Sequence, residues 1–186
     1  MKFQKAELEG IWLIDLEKIE DERGYLARTW CRYEFESHGL NPQISQCSLV
    51  YNEKVGTLRG MHYQHAPYSE TKTIFCSRGA IYDVVIDLRL ASQTFSHWMA
   101  VELSEHKPQI LYIPEGFAHG YQTLTDHTEI LYQMSTPYAP QTACGVRWND
   151  PAFKITWPSV PSRIISQKDQ HWPDFEQQRA NTHASF

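Results

Sequence analysis

Short runs of aliphatic, aromatic and β-branched residues recur along the chain, separated by turn-forming positions. GIWLIDLEKI, IFCSRGAIYDVVIDLRL, FSHWMAVELS, QILYIPEGF and TEILYQMS are the clearest of them. Their composition and length are those of strands, and the gaps between them are too short to hold crossover helices. The pattern predicts antiparallel β-structure, folded as a sandwich or jelly-roll barrel, and argues against a doubly wound α/β sheet. Two segments read differently. TWCRYEFESHGL has apolar residues at helical spacing ahead of Gly39, and QKDQHWPDFEQQRA near the end is a second short-helix candidate. No repeat, low-complexity tract or linker divides the chain, so residues 1–186 are expected to form one domain, with the polar stretch EQQRANTHASF loose at its end.

Composition narrows this picture. A chain of 186 residues suits a single core, since domains commonly run to about 100–200 residues. Six Trp, ten Tyr and eight Phe point to an aromatic-rich interior or pocket. A formal net charge of -5 without any long basic run argues against nucleic acid or an anionic membrane as the main partner, although a few arginines could still hold a small anion. Cys31, Cys47, Cys76 and Cys144 are widely spaced and form no CxxC pair, so they are expected to be reduced. The opening MKFQKAELEG has no apolar leader region, and no apolar run approaches a membrane span; the expectation is a soluble cytoplasmic protein.

Candidate chemistry concentrates in LRGMHYQHAPYSETK, residues 58–72. Strand alternation puts His62 and Gln64 on one face and Met61 and Tyr63 on the other, leaving Arg59 with the wrong parity to share a cavity with His62. A bulge at Gly60 would bring both inward. Lys72 is in line with Ile74 and Cys76, and an inward lysine needs a partner or a bound anion. Asp83 and Asp87 share a strand face with Val85, and Asp83 is expected to pair with a cavity histidine or lysine. His119 follows the turn in IPEGFAHGYQ, and Tyr132 shares a face with Ile130 and Met134. Each also has a structural reading, as a hydrogen-bonded sheet histidine, an edge lysine or a core tyrosine. These positions outline a barrel with inward polar groups, and no reaction.

The motifs go further. DERGYL, GTLRGMHYQ, Thr71-Lys72, GAIYDVVIDLR, IPEGFAHGYQTL, LYQMSTPYAP, GVRWNDPAFKITWP and ISQKD, from about residue 8 to residue 169, resemble in order and spacing the dTDP-4-dehydrorhamnose 3,5-epimerase family. The resemblance implies a cupin-type jelly roll with a few short helices, homodimeric, needing no metal and no organic cofactor. It also implies inversion of a nucleotide-linked 4-keto-6-deoxyhexose at the carbons beside its ketone. That chemistry needs a base, an acid on the opposite face, and a positive group near the enolate. By the resemblance, His62 is the base, Asp169 orients it, Tyr132 is the acid and Lys72 lies near the ketone oxygen. Arg23 and Arg59 would grip the diphosphate as bidentate guanidinium groups. His119 and Lys168 would line the same pocket, and Tyr138 would pack on the sugar or base.

The chain departs from the family pattern at three places: Arg28 and Ala143 stand where glutamates are usual, and QCS at Gln46 to Ser48 stands where QDN is usual. All three belong to nucleotide or pocket contacts, so the base, the sugar and the number of inverted centres stay open. Two other functions compete. HYQHAPYSE and PEGFAH also resemble a metal-cupin pattern with Gln64 in place of a histidine, a poor substitute for imidazole. A noncatalytic sugar-nucleotide binder would keep the pocket without the exchange chemistry.

Overall fold

The computed structural model describes residues 1–175, so EQQRANTHASF lies outside the described residues. Its strands are β1 (Lys2–Lys5), β2 (Trp12–Asp15), β3 (Lys18–Asp21), β4 (Gly24–Ala27), β5 (Gln46–Asn52), β6 (Thr57–Gln64), β7 (Lys72–Arg78) and β8 (Ala80–Asp87). They continue as β9 (Trp98–Ser104), β10 (Gln109–Ile113), β11 (Phe117–Thr123), β12 (Thr128–Met134), β13 (Ala143–Gly145) and β14 (Ile164–Ile165). Helix α1 covers Arg32–Ser37 and α2 covers Gln167–Gln170. Helix α2 ends at Gln170, ahead of Pro173, which does not fit a helix interior; the part of the QKDQHWPDFEQQRA candidate from residue 176 on lies outside the described residues.

Two sheets form the expected jelly roll. One has the order β1-β2-β10-β7-β12-β5, the other β13-β6-β11-β8-β9, with β14 added in parallel to β6; β3 and β4 form a separate hairpin. Between the sheets lies a core of Ile74, Cys76, Ile81, Val85, Leu111, Ile113, Phe117, Tyr121 and Ile130. The outer face of the second sheet is apolar too, because Leu58, Met61, Val84, Ile86 and Ala118 are covered by Val146, Phe153, Trp157 and Phe175 from the C-terminal segment. Helix α1 closes the outer face of the first sheet by placing Phe35 against Ile14, Ile110 and Tyr112. Hence β10 and β11 are buried along their whole length, which explains why QILYI reads as a continuous apolar run and not as an alternation.

Candidate active site

The parity conflict in β6 is resolved by a bulge. His119 of β11 pairs with His62, whereas Tyr121 pairs with Arg59, so β6 spends one residue more than β11 over the same span. The extra residue is accommodated at Gly60, with φ at +129°, where a Cβ would come within 2.5 Å of Gly120 Cα and 2.9 Å of the His119 carbonyl oxygen. Only glycine fits there, and the local turn sends both Arg59 and His62 into one cavity of about 350 Å³.

That cavity lies between the sheets. Its walls bring together eight of the predicted site residues: Arg59, His62, Lys72, His119, Tyr132, Tyr138, Lys168 and Asp169. His62 stands on β6 and Tyr132 on β12, so the two belong to opposite sheets. Helix α2 delivers Asp169: the Ser166 hydroxyl caps it by accepting the Asp169 backbone N–H at 3.1 Å. The Asp169 carboxylate lies 2.7 Å from His62 Nε2 and also accepts the Gly60 backbone N–H at 3.2 Å. Burial pushes the Asp169 carboxyl up, but the His62 hydrogen bond, its charge, the Gly60 N–H and the Trp172 N–H outweigh burial and hold it below its ordinary value. An ionised carboxylate only accepts, so His62 Nε2 carries the hydrogen and Nδ1 carries the free lone pair. The His62 side chain is 42% exposed and Asp169 only 6%, an accessible imidazole backed by a buried anion.

A second imidazole–carboxylate pair lies beside the first. His119 Nε2 is 3.0 Å from Asp83 Oδ2. Asp83 thus pairs with a cavity histidine as its strand position led us to expect, but as a candidate substrate-binding residue it falls short: its side chain is wholly buried and does not line the cavity. Burial pushes the Asp83 carboxyl above its ordinary value while His119 and Lys72 oppose the rise, and its contact holds the His119 ring in place. Lys72 points inward as its strand parity requires, its Nζ 2.9 Å from Glu70 Oε1.

Three other predicted binding residues also fall outside the cavity lining. Gln46 accepts the Tyr138 backbone N–H at 3.1 Å, so it holds the segment that carries Tyr138. Ser48 is the strand neighbour of Tyr132 across β5 and β12. Arg23 sits in the β3–β4 hairpin with its side chain 83% exposed and bridged to Asp21. Arg28, one of the departures, pairs with Glu34 at 2.7 Å. Ala143, the other, is in the cavity wall and supplies no carboxylate there.

Electrostatically the cavity suits an anion. Among the described residues Arg59 has no carboxylate partner; Asn52 Oδ1 accepts from its Nε at 2.9 Å and steadies the side chain. Lys168 lies over the Trp172 ring at 5.2 Å. Among the described residues no group of three or more His, Cys, Asp or Glu side chains comes together as a metal-binding set. Gln64, the residue that replaces a histidine in the metal-cupin reading, is occupied elsewhere, donating to the Tyr68 carbonyl at 2.9 Å and to Glu70 at 3.1 Å.

Trp172 was not singled out from the sequence, and Glu70 entered only as the last residue of HYQHAPYSE in the metal-cupin reading. Glu70 had a signal, since it precedes Lys72 by two residues and could share its face. Trp172 had none: its ring meets His62 edge to face at 6.3 Å and occupies space that any side chain at Gly145 would fill.

Comparison with known proteins converges with this geometry. Residues 5–177 match the family described as dTDP-4-dehydrorhamnose 3,5-epimerase. The chain is 35% identical to the dTDP-4-dehydrorhamnose 3,5-epimerase of Sinorhizobium fredii, over 93% of this chain and 89% of that protein. It is also similar to the crystal structure of dTDP-4-dehydrorhamnose 3,5-epimerase from Bacillus anthracis with TDP and PPi bound, at 36% identity and a TM-score of 0.90, covering 94% of this chain and 99% of that one. A 3'-monoepimerase from Streptomyces bikiniensis in complex with dTDP-quinovose shares the fold at a TM-score of 0.88 and 28% identity, covering 95% and 89% of the two chains.

Proposed function

The chain belongs to the dTDP-4-dehydrorhamnose 3,5-epimerase family, and on that premise we propose that it inverts a dTDP-linked 4-keto-6-deoxyhexose at both carbons flanking the ketone. The coarser statement, that this is a sugar-nucleotide epimerase and therefore an isomerase, follows from the family itself. One observation carries the acid–base part of this reading: an accessible imidazole tied to a buried carboxylate shares one cavity with a tyrosine, each from a different sheet.

A C–H bond next to a ketone is acidic because the carbanion delocalises onto oxygen as an enolate. In the proposed reaction His62 Nδ1 takes that proton and becomes an imidazolium, which the Asp169 carboxylate stabilises. The C–H electron pair moves into the enolate, and Lys72 offers an N–H to the oxygen that gains charge. Tyr132 then gives its hydroxyl proton to the opposite face of the same carbon, which inverts it. Arg59 and Lys168 hold the diphosphate, and Tyr138 offers an aromatic surface to the sugar or base.

The support for dTDP lies in the family and in relatives solved with TDP or dTDP-quinovose. An NMR panel of dTDP-, CDP- and GDP-linked 4-keto-6-deoxyhexoses in deuterated water tests it. The expected outcome is fastest turnover of the dTDP sugar, with deuterium entering both flanking carbons; turnover of a CDP or GDP sugar alone, or exchange at one carbon alone, would contradict the reading.

We also infer a homodimer in a reducing, cytoplasmic setting. The β3–β4 hairpin leaves Ile19 71%, Tyr25 57% and Leu26 70% exposed, and the edge strand β5 exposes Leu49 and Tyr51. Exposed apolar surface of this kind favours association. All four cysteines are free, and no helix among the described residues is long and apolar enough to cross a membrane. A dimer that carries the hairpin to the partner's cavity would give Arg23 access to the diphosphate. Sedimentation at twice the chain mass is expected, with Leu26→Asp shifting it toward monomer; a wild-type monomer would end this inference.

A further inference from the structure

We propose that Glu70 is a positioning residue that aims the Lys72 ammonium at the substrate's ketone oxygen, an inference that rests on the reaction proposed above. Lys72 is set in apolar surroundings, between Ile74 on its own strand face and Met134 on the neighbouring strand, with its side chain 11% exposed. A buried ammonium needs a counter-charge. Among the described residues Glu70 is the one carboxylate within ion-pair distance of it, at 2.9 Å, and the Glu70 side chain is itself only 7% exposed.

The carboxylate is held in one orientation. One oxygen meets Lys72, and the other accepts the Gln64 side-chain amide at 3.1 Å. Gln64 in turn is fixed, since its carbonyl oxygen accepts the Ala139 backbone N–H at 2.7 Å. Lys72 Nζ also donates to the His62 backbone carbonyl at 3.4 Å. An ammonium has three N–H bonds at tetrahedral directions. With two of them assigned to Glu70 and to the His62 carbonyl, the third is left for a group in the cavity that Lys72, Glu70 and His62 all line. The same contact to the His62 carbonyl ties the position of the cation to the strand that carries the base. Charge develops on the ketone oxygen only as the proton leaves carbon, so an N–H aimed in advance acts on the transition state more than on bound substrate.

The test is a double-mutant cycle on the full chain, with kcat and KM for the 4-keto sugar and the rate of deuterium wash-in as readouts. Glu70→Gln retains the shape and the Gln64 contact while removing the charge. It is expected to lower kcat and wash-in together by about 10- to 100-fold, with KM within about 3-fold of wild type. In a Lys72→Met background Glu70→Gln should change kcat by less than about 2-fold, because the group it acts through is gone. Lys72→Met leaves Glu70 buried without its partner and can fail to fold; Lys72→Met/Glu70→Gln, which removes both charges, is then compared with Glu70→Gln alone. In that form the double variant is expected to be slower than Glu70→Gln. Wild-type kcat in Glu70→Gln, equal losses from Glu70→Gln in both backgrounds, or a double variant as fast as Glu70→Gln would each overturn the assignment. A wild-type protein that exchanges no deuterium would instead defeat the epimerase reading on which this rests.

Discussion

His62→Ala is expected to slow epimerisation by roughly 10²- to 10⁴-fold, the contribution typical of a positioned acid or base, which corresponds to about 3–5 kcal/mol of barrier. The reason is geometric. Among the described residues only His62 combines an imidazole 42% exposed, a buried carboxylate at 2.7 Å and a place in the cavity wall. His119 is the nearest substitute, yet its side chain is only 10% exposed and its Nε2 is committed to Asp83. Nucleotide binding should survive, because Arg59 and Lys168 are untouched. Steady-state turnover beside calorimetry with dTDP separates the two effects; a loss of nucleotide affinity matching the loss of rate would make His62 a binding residue.

Tyr132→Phe should split the reaction instead of stopping it. The base remains, so the proton next to the ketone still leaves and a solvent deuteron can return from His62 to the same face. What is lost is delivery from the opposite wall, where β12 carries Tyr132 across the cavity from β6. Conversion to the inverted sugar is expected to fall by about 10²-fold or more while deuterium still enters at least one flanking carbon. NMR reads both quantities in one sample. Equal loss of exchange and inversion would show that Tyr132 does not act as the separate acid.

Much of this architecture could be read from the residues. Short β-branched and aromatic runs gave antiparallel strands, and parity placed Lys72 and Asp83 inward, where both are found. The conflict between Arg59 and His62 even pointed to Gly60, whose φ and close packing against Gly120 make the bulge. What could not be read is pairing over long separations. Asp169 meets His62 from 107 residues away, and no local pattern encodes which carboxylate reaches which ring; the family resemblance supplied that pair. Glu70 illustrates the intermediate case: its offset of two from Lys72 hints at a shared face, but Glu70 precedes β7, and the hint becomes meaningful only once the lysine is known to be buried. Depth is likewise invisible in sequence. Asp83 finds the histidine expected for it and Gln46 holds the Tyr138 segment, yet both sit one layer behind the cavity wall and not at its surface.

The proton removed by His62 can be followed directly. A dTDP-linked 4-keto-6-deoxyhexose in deuterated water, with wild-type protein and His62→Ala in parallel tubes, gives proton signals for the two carbons beside the ketone. These signals should fade with wild type and persist at the enzyme-free rate with His62→Ala, whereas fading at the wild-type rate with His62→Ala would contradict the assignment of His62 as the base.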